Sequence, residues 1–196
     1  MIRSLLASAA LVWAAPAIAA ADTAEQAAAD IGPVVGTQAP AFQAVTSDSV
    51  AVDLAAISGE EGAALVFSRS LNWCPYCKKQ AIELGAIAAD LAETGWQLNI
   101  ITYDEPHILA DFKSDKNLSY ALLSDTDSAM IDAFALRNTG VPQGSEFDGI
   151  PHPAIIFVGS EGKVRAYLRE EGYEDRPAPD VVMQTAVLLN EAASGQ

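Results

Sequence analysis

A short, wholly apolar segment lies between two small residues near the middle of the chain. Residues 63–67 read Ala-Ala-Leu-Val-Phe and are bounded by Gly62 and Ser68. An unbroken apolar run of this length predicts a strand that is buried on both faces, and such strands belong to sheets covered by helices on each side. This segment therefore constrains the chain to an α/β domain.

Alternating strand and helix patterns on either side extend this prediction. Apolar residues recur at helical spacing through residues 75–94, and Gly95 follows as a stop signal. The same periodicities predict strands at residues 42–45, 50–54, 96–102, 121–123, 154–158 and 164–168, and helices at residues 105–112, 179–192 and from the turn at 125–127 through 136. We therefore expect one α/β domain over residues 37–193.

The first twenty residues have the pattern of a secretory signal peptide. Arg3 precedes an apolar run over residues 5–15, and Pro16 leads into small residues that suit a cleavage site. The run is too short to span a bilayer. We expect residues 1–20 to be removed, residues 21–36 to form a flexible tail, and the mature protein to be periplasmic or secreted.

The amino-acid composition limits the classes of molecule that the protein is expected to bind. The chain has 26 acidic against 11 basic residues and a net charge of −15. Such a surface disfavours nucleic acid, which requires a basic face, and stable association with an anionic membrane. The chain contains 2 cysteines, so it is not a disulfide-rich scaffold. These two cysteines form one special pair or none.

Both cysteines lie at the predicted start of the helix after the central strand, in the motif Trp73-Cys74-Pro75-Tyr76-Cys77. Pro75 suits the first helical turn, which places Cys74 at the N-cap and Cys77 one turn later. This spacing brings the sulfurs close enough to form a disulfide. Free backbone N–H groups at the helix start stabilise a Cys74 thiolate, whereas Cys77 lies on the apolar stripe. We expect Cys74 to attack and Cys77 to resolve.

Three other interpretations of the two cysteines account less well for the residues of the motif. A disulfide that closes so short a loop removes little chain entropy and would stabilise the fold weakly. A four-thiolate zinc site needs ligands that the chain lacks. Core packing alone leaves Trp73 and Pro75 unexplained. Beside a nucleophile, Trp73 and Tyr76 are expected to form the substrate-facing rim.

Several segments in order resemble the peroxiredoxin-like group of the thioredoxin fold, the family of alkyl hydroperoxide reductase C and thiol-specific antioxidant (AhpC/TSA). The segments are residues 35–42, 67–70, 73–77, 122–125 and 149–154. The resemblance covers about residues 34 to 170. It implies a thioredoxin-like fold, with a central mixed sheet flanked by helices in a single domain, and a thiol oxidoreductase that uses Cys74 as the attacking cysteine.

The resemblance also implies roles for residues before a late strand. Pro153 falls where proteins of this fold carry a cis-proline packed against the disulfide, and the backbone of His152 would then be able to pair with an extended substrate chain. No motif indicates haem, flavin, nicotinamide or a required metal, so we expect no cofactor.

The chain departs from the family pattern at positions whose side chains usually take part in peroxide reduction. Typical peroxiredoxins have Thr or Ser three residues before the attacking cysteine and Pro seven before it, where this chain has Leu71 and Phe67. The arginine that polarises peroxide usually lies where this chain has His152 and Pro153. Arg69 is a candidate for that charge, and His152 is a candidate for proton transfer.

Three functions follow. The first is a peroxidase, in which Cys74 attacks peroxide, Cys77 closes a disulfide and an external thiol reductant resets the pair. The second is a thiol-disulfide oxidoreductase that acts on the thiols or disulfides of exported proteins, with an external reductant or oxidant. The third is a Cu(I) carrier that uses Cys74, Cys77 and His152.

Overall fold

The computed structural model describes residues 31–172 and 174–194, so the predicted signal peptide and most of the predicted tail lie outside it. Residues 31–36, which were predicted to belong to the tail, contact the domain. The N–H of Gly32 donates to the carbonyl of Ala135 at 3.0 Å, and the N–H of Gly36 donates to the carbonyl of Val164 at 2.8 Å. The described fold therefore includes residues before the predicted boundary at residue 37.

One mixed sheet of seven strands forms the centre of the domain, as predicted. Its strands are β1 (Ala44–Thr46), β2 (Ala51–Val52), β3 (Gly62–Phe67), β4 (Trp96–Thr102), β5 (Ala121–Ser124), β6 (Ala154–Gly159) and β7 (Val164–Leu168). Their spatial order is β2-β1-β5-β4-β3-β6-β7. Strands β3, β4 and β5 are parallel, whereas the outer pairs are antiparallel. Every residue of the central strand β3 is buried, which confirms the first prediction.

Helices cover both faces of this sheet. They are α1 (Pro75–Gly85), α2 (Ala88–Glu93), α3 (Pro106–Lys116), α4 (Ala129–Ala133) and α5 (Pro179–Ser194). Because successive side chains of a strand point to opposite faces, β3 contributes to two cores. Ala64 and Val66 pack with residues of α1, α2, α3 and α5, whereas Leu65 and Phe67 pack with residues of α4. The result is a three-layer α/β/α domain with the thioredoxin-like fold.

Two predicted helices are shorter than expected. The helix predicted over residues 75–94 is divided between α1 and α2, and the break follows Gly85, whose residue type is a poor helix former. The helix predicted to run through residue 136 contains only Ala129–Ala133. Ser128 and Ala135 have positive φ angles of 54° each, which prevents the helix from extending in either direction.

No helix among residues 31–172 and 174–194 is long and apolar enough to cross a membrane.

Candidate active site

The two cysteines form a disulfide at the start of α1, after the loop that follows β3. Cys74 is the N-cap of α1, Pro75 is the first helical residue, and the Cα atoms of Cys74 and Cys77 are 5.3 Å apart. The N–H of Cys77 donates to the Sγ of Cys74 at 3.2 Å. The predicted capping arrangement is therefore confirmed, and the two sulfurs can exchange between dithiol and disulfide without a rearrangement of α1.

Both cysteines are buried. Cys74 is 3% exposed and Cys77 is 1% exposed, and both belong to the core beneath α1. Its place on the apolar stripe predicts that Cys77 is the more buried sulfur, and it is, but the difference is too small to separate the two cysteines. Any difference in reactivity must therefore come from the groups around each sulfur.

A buried carboxylate holds the loop that leads to Cys74. Asp104, which follows β4, accepts hydrogen bonds from the Ser70 hydroxyl at 2.7 Å, the Leu71 N–H at 2.6 Å and the Thr102 hydroxyl at 2.9 Å. The Ser70 Oγ in turn accepts from the N–H of Trp73 at 3.2 Å. The Ser70 hydroxyl therefore holds the loop through the N–H of Trp73, and the Asp104 carboxylate holds that hydroxyl in place. The sequence prediction did not include either of these roles.

Trp73 forms an aromatic surface next to the disulfide. Its indole N–H donates to the Tyr103 hydroxyl at 2.9 Å, and its ring lies 4.9 Å from the ring of Phe147. Trp73 and Phe147 are 38% and 41% exposed, respectively. Burial raises the pKa of Tyr103, which therefore remains a neutral phenol at physiological pH. The partly exposed Trp73 is consistent with the predicted rim, whereas Phe147 and Tyr103 were not predicted.

Tyr76, the other predicted rim residue, is half-buried. It packs against the core and lines a cleft of about 470 Å³ together with Lys79, Gln80 and Arg176. Pro75 is exposed at the start of α1. The structure therefore places Trp73 and Tyr76 beside two different surfaces that flank the cysteine pair.

An arginine from a distant segment reaches the disulfide. The guanidinium Nη2 of Arg176 lies 3.7 Å from the Sγ of Cys77, within hydrogen-bond distance for a sulfur acceptor. Burial and the nearby charge of Arg69 lower the pKa of Arg176 to about 10, so the guanidinium keeps its positive charge at neutral pH. Arg69 was a predicted site residue, whereas Arg176 was not.

His152 lies in the same positive environment. Burial, followed by the charges of Arg169 and Arg69, lowers the pKa of His152. The imidazole is therefore neutral at physiological pH and is able to accept a proton. Together with Arg176, these side chains form a group of basic residues, in a chain whose overall charge is strongly negative.

Two expectations for the segment before β6 are wrong. No peptide bond among the described residues is cis, so the bond before Pro153 is trans. The N–H of His152 donates to the carbonyl of Leu136 at 2.7 Å, and Pro151 forms a β-bridge with Arg137. The segment enters β6 as an extended continuation of this bridge, because residues 136–138 take the backbone pairing that we expected a substrate chain to take.

The cysteine pair and His152 do not form a metal site. Among residues 31–172 and 174–194, no group of three or more His, Cys, Asp or Glu side chains is arranged to hold a metal ion. The Cu(I) carrier hypothesis required Cys74, Cys77 and His152 to converge on one ion. The structure does not bring them together in this way.

A topological signal could have revealed Asp104. Strands β3 and β4 are parallel neighbours in register from Gly62 with Trp96 to Phe67 with Ile101. Polar residues directly after two such strands meet at the same sheet edge, where α/β proteins place their sites. Asp104 follows β4 as Ser70 follows β3. No comparable local signal marked Arg176, which lies 99 residues after Cys77.

Comparisons with known proteins agree with this fold and motif. The sequence model of the AhpC/TSA family matches residues 35–167. A bcp protein of Haemophilus influenzae is 29% identical over 130 residues, which cover 66% of this chain and 82% of that relative. Peroxiredoxin Bcp of Escherichia coli is 26% identical over 129 residues, which cover 66% of this chain and 81% of that relative.

Solved structures show the same fold at lower sequence identity. A peroxiredoxin-like protein from Aquifex aeolicus superposes with a TM-score of 0.69 at 20% identity, covering 81% of this chain and 90% of that one. A thiol peroxidase from Chromobacterium violaceum superposes with a TM-score of 0.66 at 22% identity, covering 85% and 92% of the two chains. The chain therefore belongs to the AhpC/TSA family and is a thiol oxidoreductase of thioredoxin-like fold.

Proposed function

We propose that this protein is an exported peroxidase that reduces peroxides through a dithiol-disulfide cycle of Cys74 and Cys77. The observation that carries the proposal is the disulfide between these residues at the start of α1, in a chain of the AhpC/TSA family. Several of its relatives are named as peroxiredoxins. No cofactor enters the proposed cycle, because both electrons come from the two thiols.

In the first step, the Cys74 thiolate attacks one peroxide oxygen and the O–O bond breaks. Cys74 becomes a sulfenic acid, and the other oxygen leaves as an alcohol or water after it gains a proton. The N-cap position favours the thiolate because the Cys77 N–H points at the Cys74 Sγ. Neutral His152 is the candidate for handling protons in this step.

In the second step, Cys77 attacks the sulfur of the Cys74 sulfenic acid. A sulfur–sulfur bond forms and hydroxide leaves, which a proton converts to water. The product is the disulfide seen in the structure. An external thiol reductant then returns both sulfurs to thiols and closes the cycle.

The residues that peroxiredoxins usually place around peroxide are replaced here by a different set. Ser70 does not substitute for the missing hydroxyl, because its Oγ is occupied by Asp104 and by the loop N–H groups. Positive charge near the peroxide is assigned instead to Arg69, whose charge acts on the neighbouring His152 and Arg176. A positive charge at this place stabilises anionic sulfur and developing oxyanions.

Exchange with protein clients is the second candidate, and the CxxC spacing favours it because both sulfurs of such a pair can take part in exchange. Two observations favour a small peroxide. Both sulfurs are almost completely buried, and the His152 N–H that would pair with a client backbone is bonded to Leu136. A peroxide needs much less access than a polypeptide does.

The peroxidase proposal is tested by mixing the reduced protein with hydrogen peroxide and an alkyl hydroperoxide in a stopped-flow instrument. Formation of the disulfide next to Trp73 is expected to change tryptophan fluorescence, with a second-order rate constant at least about a hundredfold above that of free cysteine thiolate. Trp73→Phe identifies the reporter, because Trp96 is buried and pairs with Gly62, at the end of β3 that is opposite to the motif. A rate constant equal to that of free cysteine would contradict peroxidase activity and leave client exchange as the function.

Export is supported by the pattern of residues 1–20, with Arg3, an apolar run and small residues before Asp22. We expect the full chain, expressed in a Gram-negative host, to appear in the periplasmic or extracellular fraction with a new N-terminus near residue 20 or 21. N-terminal sequencing locates the cleavage site, and a chain without residues 1–20 is the control that stays in the cytoplasm. Uncleaved full-length protein in the cytoplasm would refute export.

A further inference from the structure

We propose that Arg176 activates Cys77, the second cysteine of the pair, and so controls the closing and opening of the disulfide rather than the attack on peroxide. The contact that points to this role is the 3.7 Å distance between the Nη2 of Arg176 and the Sγ of Cys77. The Sγ of Cys74 has a different partner, the backbone N–H of Cys77. Each sulfur therefore has its own source of stabilisation for negative charge.

The surroundings of Arg176 make its charge effective. The side chain is partly buried, so water screens it less than it screens a surface arginine. Its Nη1 donates to the backbone carbonyl of Asp175 at 2.6 Å, which fixes the guanidinium within its own segment. Burial and the charge of Arg69 lower its pKa to about 10, and a thiolate at Cys77 would favour the protonated form. The guanidinium is thus a fixed cation beside a buried sulfur.

A cation at Cys77 acts in the oxidative half of the cycle. It favours the Cys77 thiolate, which is the form that attacks the Cys74 sulfenic acid. The new bond joins the two sulfurs, the S–O bond of the sulfenic acid breaks, and the departing hydroxide takes a proton to become water. Without Arg176, burial in the core would instead raise the pKa of the Cys77 thiol, and less of the reactive form would be present.

The same cation directs the reductive half of the cycle. When a reductant thiolate attacks the Sγ of Cys74, the S–S bond breaks and Cys77 leaves with the electron pair. A thiol of lower pKa leaves faster, so Arg176 favours this direction of attack. The second thiol of the reductant then attacks the mixed disulfide and releases Cys74 as a thiolate. Cys74 is therefore the sulfur that forms the mixed disulfide.

The first test measures the pKa of Cys77 directly and needs no peroxide. In the Cys74→Ser protein, Cys77 is the remaining thiol, and its ultraviolet thiolate absorbance is titrated against pH. We expect Arg176→Gln to raise the pKa of Cys77 by about one unit or more, which is a tenfold loss of thiolate at neutral pH. Arg176→Lys is expected to restore part of the shift, because it keeps the charge but not the planar fork.

Controls separate this effect from a change in fold or net charge. Arg165→Gln removes a guanidinium that pairs with Glu161 on the surface, and it is expected to leave the titration unchanged. Arg176→Met keeps the apolar stem of the side chain and is expected to match Arg176→Gln. Circular dichroism confirms the fold of each variant. An unchanged Cys77 pKa in folded Arg176→Gln and Arg176→Met proteins would overturn the proposal.

The second test uses the intact cysteine pair and rests on the proposed peroxidase function. After mixing with peroxide, the rate of attack depends on peroxide concentration and the rate of disulfide closure does not. We expect Arg176→Gln to slow closure about tenfold and move its pH profile to higher pH, while the rate of attack changes by less than about threefold. Equal slowing of both phases would refute selective action on Cys77. Absence of a peroxide-dependent phase in the parent protein would refute the peroxidase function alone, since the pKa titration is independent of it.

Discussion

Replacing Cys74 with serine is expected to reduce peroxide turnover by about a thousandfold or more, to the background of the assay. The serine hydroxyl stays protonated at neutral pH, so the group that attacks the O–O bond is lost. The helix start that stabilises a thiolate at this position cannot ionise a hydroxyl to the same degree. The measurement is steady-state peroxide consumption coupled to a thiol reductant, together with the single-turnover fluorescence change.

Cys77→Ser is the matched control, because it removes the other sulfur of the same turn. It is expected to consume about one equivalent of peroxide per chain at a near-normal rate and then to stop, since the sulfenic acid at Cys74 has no partner within the chain. Trapping with dimedone and mass spectrometry would place the modification on Cys74. Retained turnover in Cys74→Ser, with the sulfenic acid on Cys77, would reverse the assigned roles.

Local sequence patterns predicted the parts of this fold that depend on residues close together in the chain. The six-residue strand β3 and the capped start of α1 are examples. A buried strand is recognised from the pattern of its apolar residues, and a helix start from the residue types at its cap and first turn. The break after Gly85 escaped prediction, since the apolar stripe continues across it in α2. Gly85, a poor helix former, marks the break, and the continuous periodicity outweighed this single-residue signal in the prediction.

The parts of the site that were not predicted come from long-range contacts. Asp104 lies 34 residues from Ser70 and Arg176 lies 99 residues from Cys77, so no local spacing relates them. The trans bond before Pro153 was missed for a related reason. The family resemblance implied a cis bond before Pro153. In this chain the bond is trans, and the β-bridge between Arg137 and Pro151 determines the path of the segment that leads to it.

The loop before Cys74 is expected to depend on Asp104. Asp104→Ala leaves the Leu71 N–H and the hydroxyls of Ser70 and Thr102 without their common acceptor in a buried site. Hydrogen bonds to a charged acceptor are strong and buried donors are costly to leave unmatched, so we expect the free energy of unfolding to fall by about 3 kcal/mol or more. Urea unfolding followed by circular dichroism measures this loss.

Activity is expected to fall together with stability, because the same loop positions Cys74. At temperatures where Asp104→Ala remains folded, we expect the peroxide rate constant to decrease at least about tenfold, since misplacing a reacting group by a small distance has a large effect on rate. Asp104→Asn keeps the shape and one acceptor oxygen, so its losses should be intermediate. Asp111→Ala removes an exposed carboxylate from α3 and should change neither quantity. If Asp104→Ala and Asp111→Ala behaved alike, the buried carboxylate would not be the group that organises the loop.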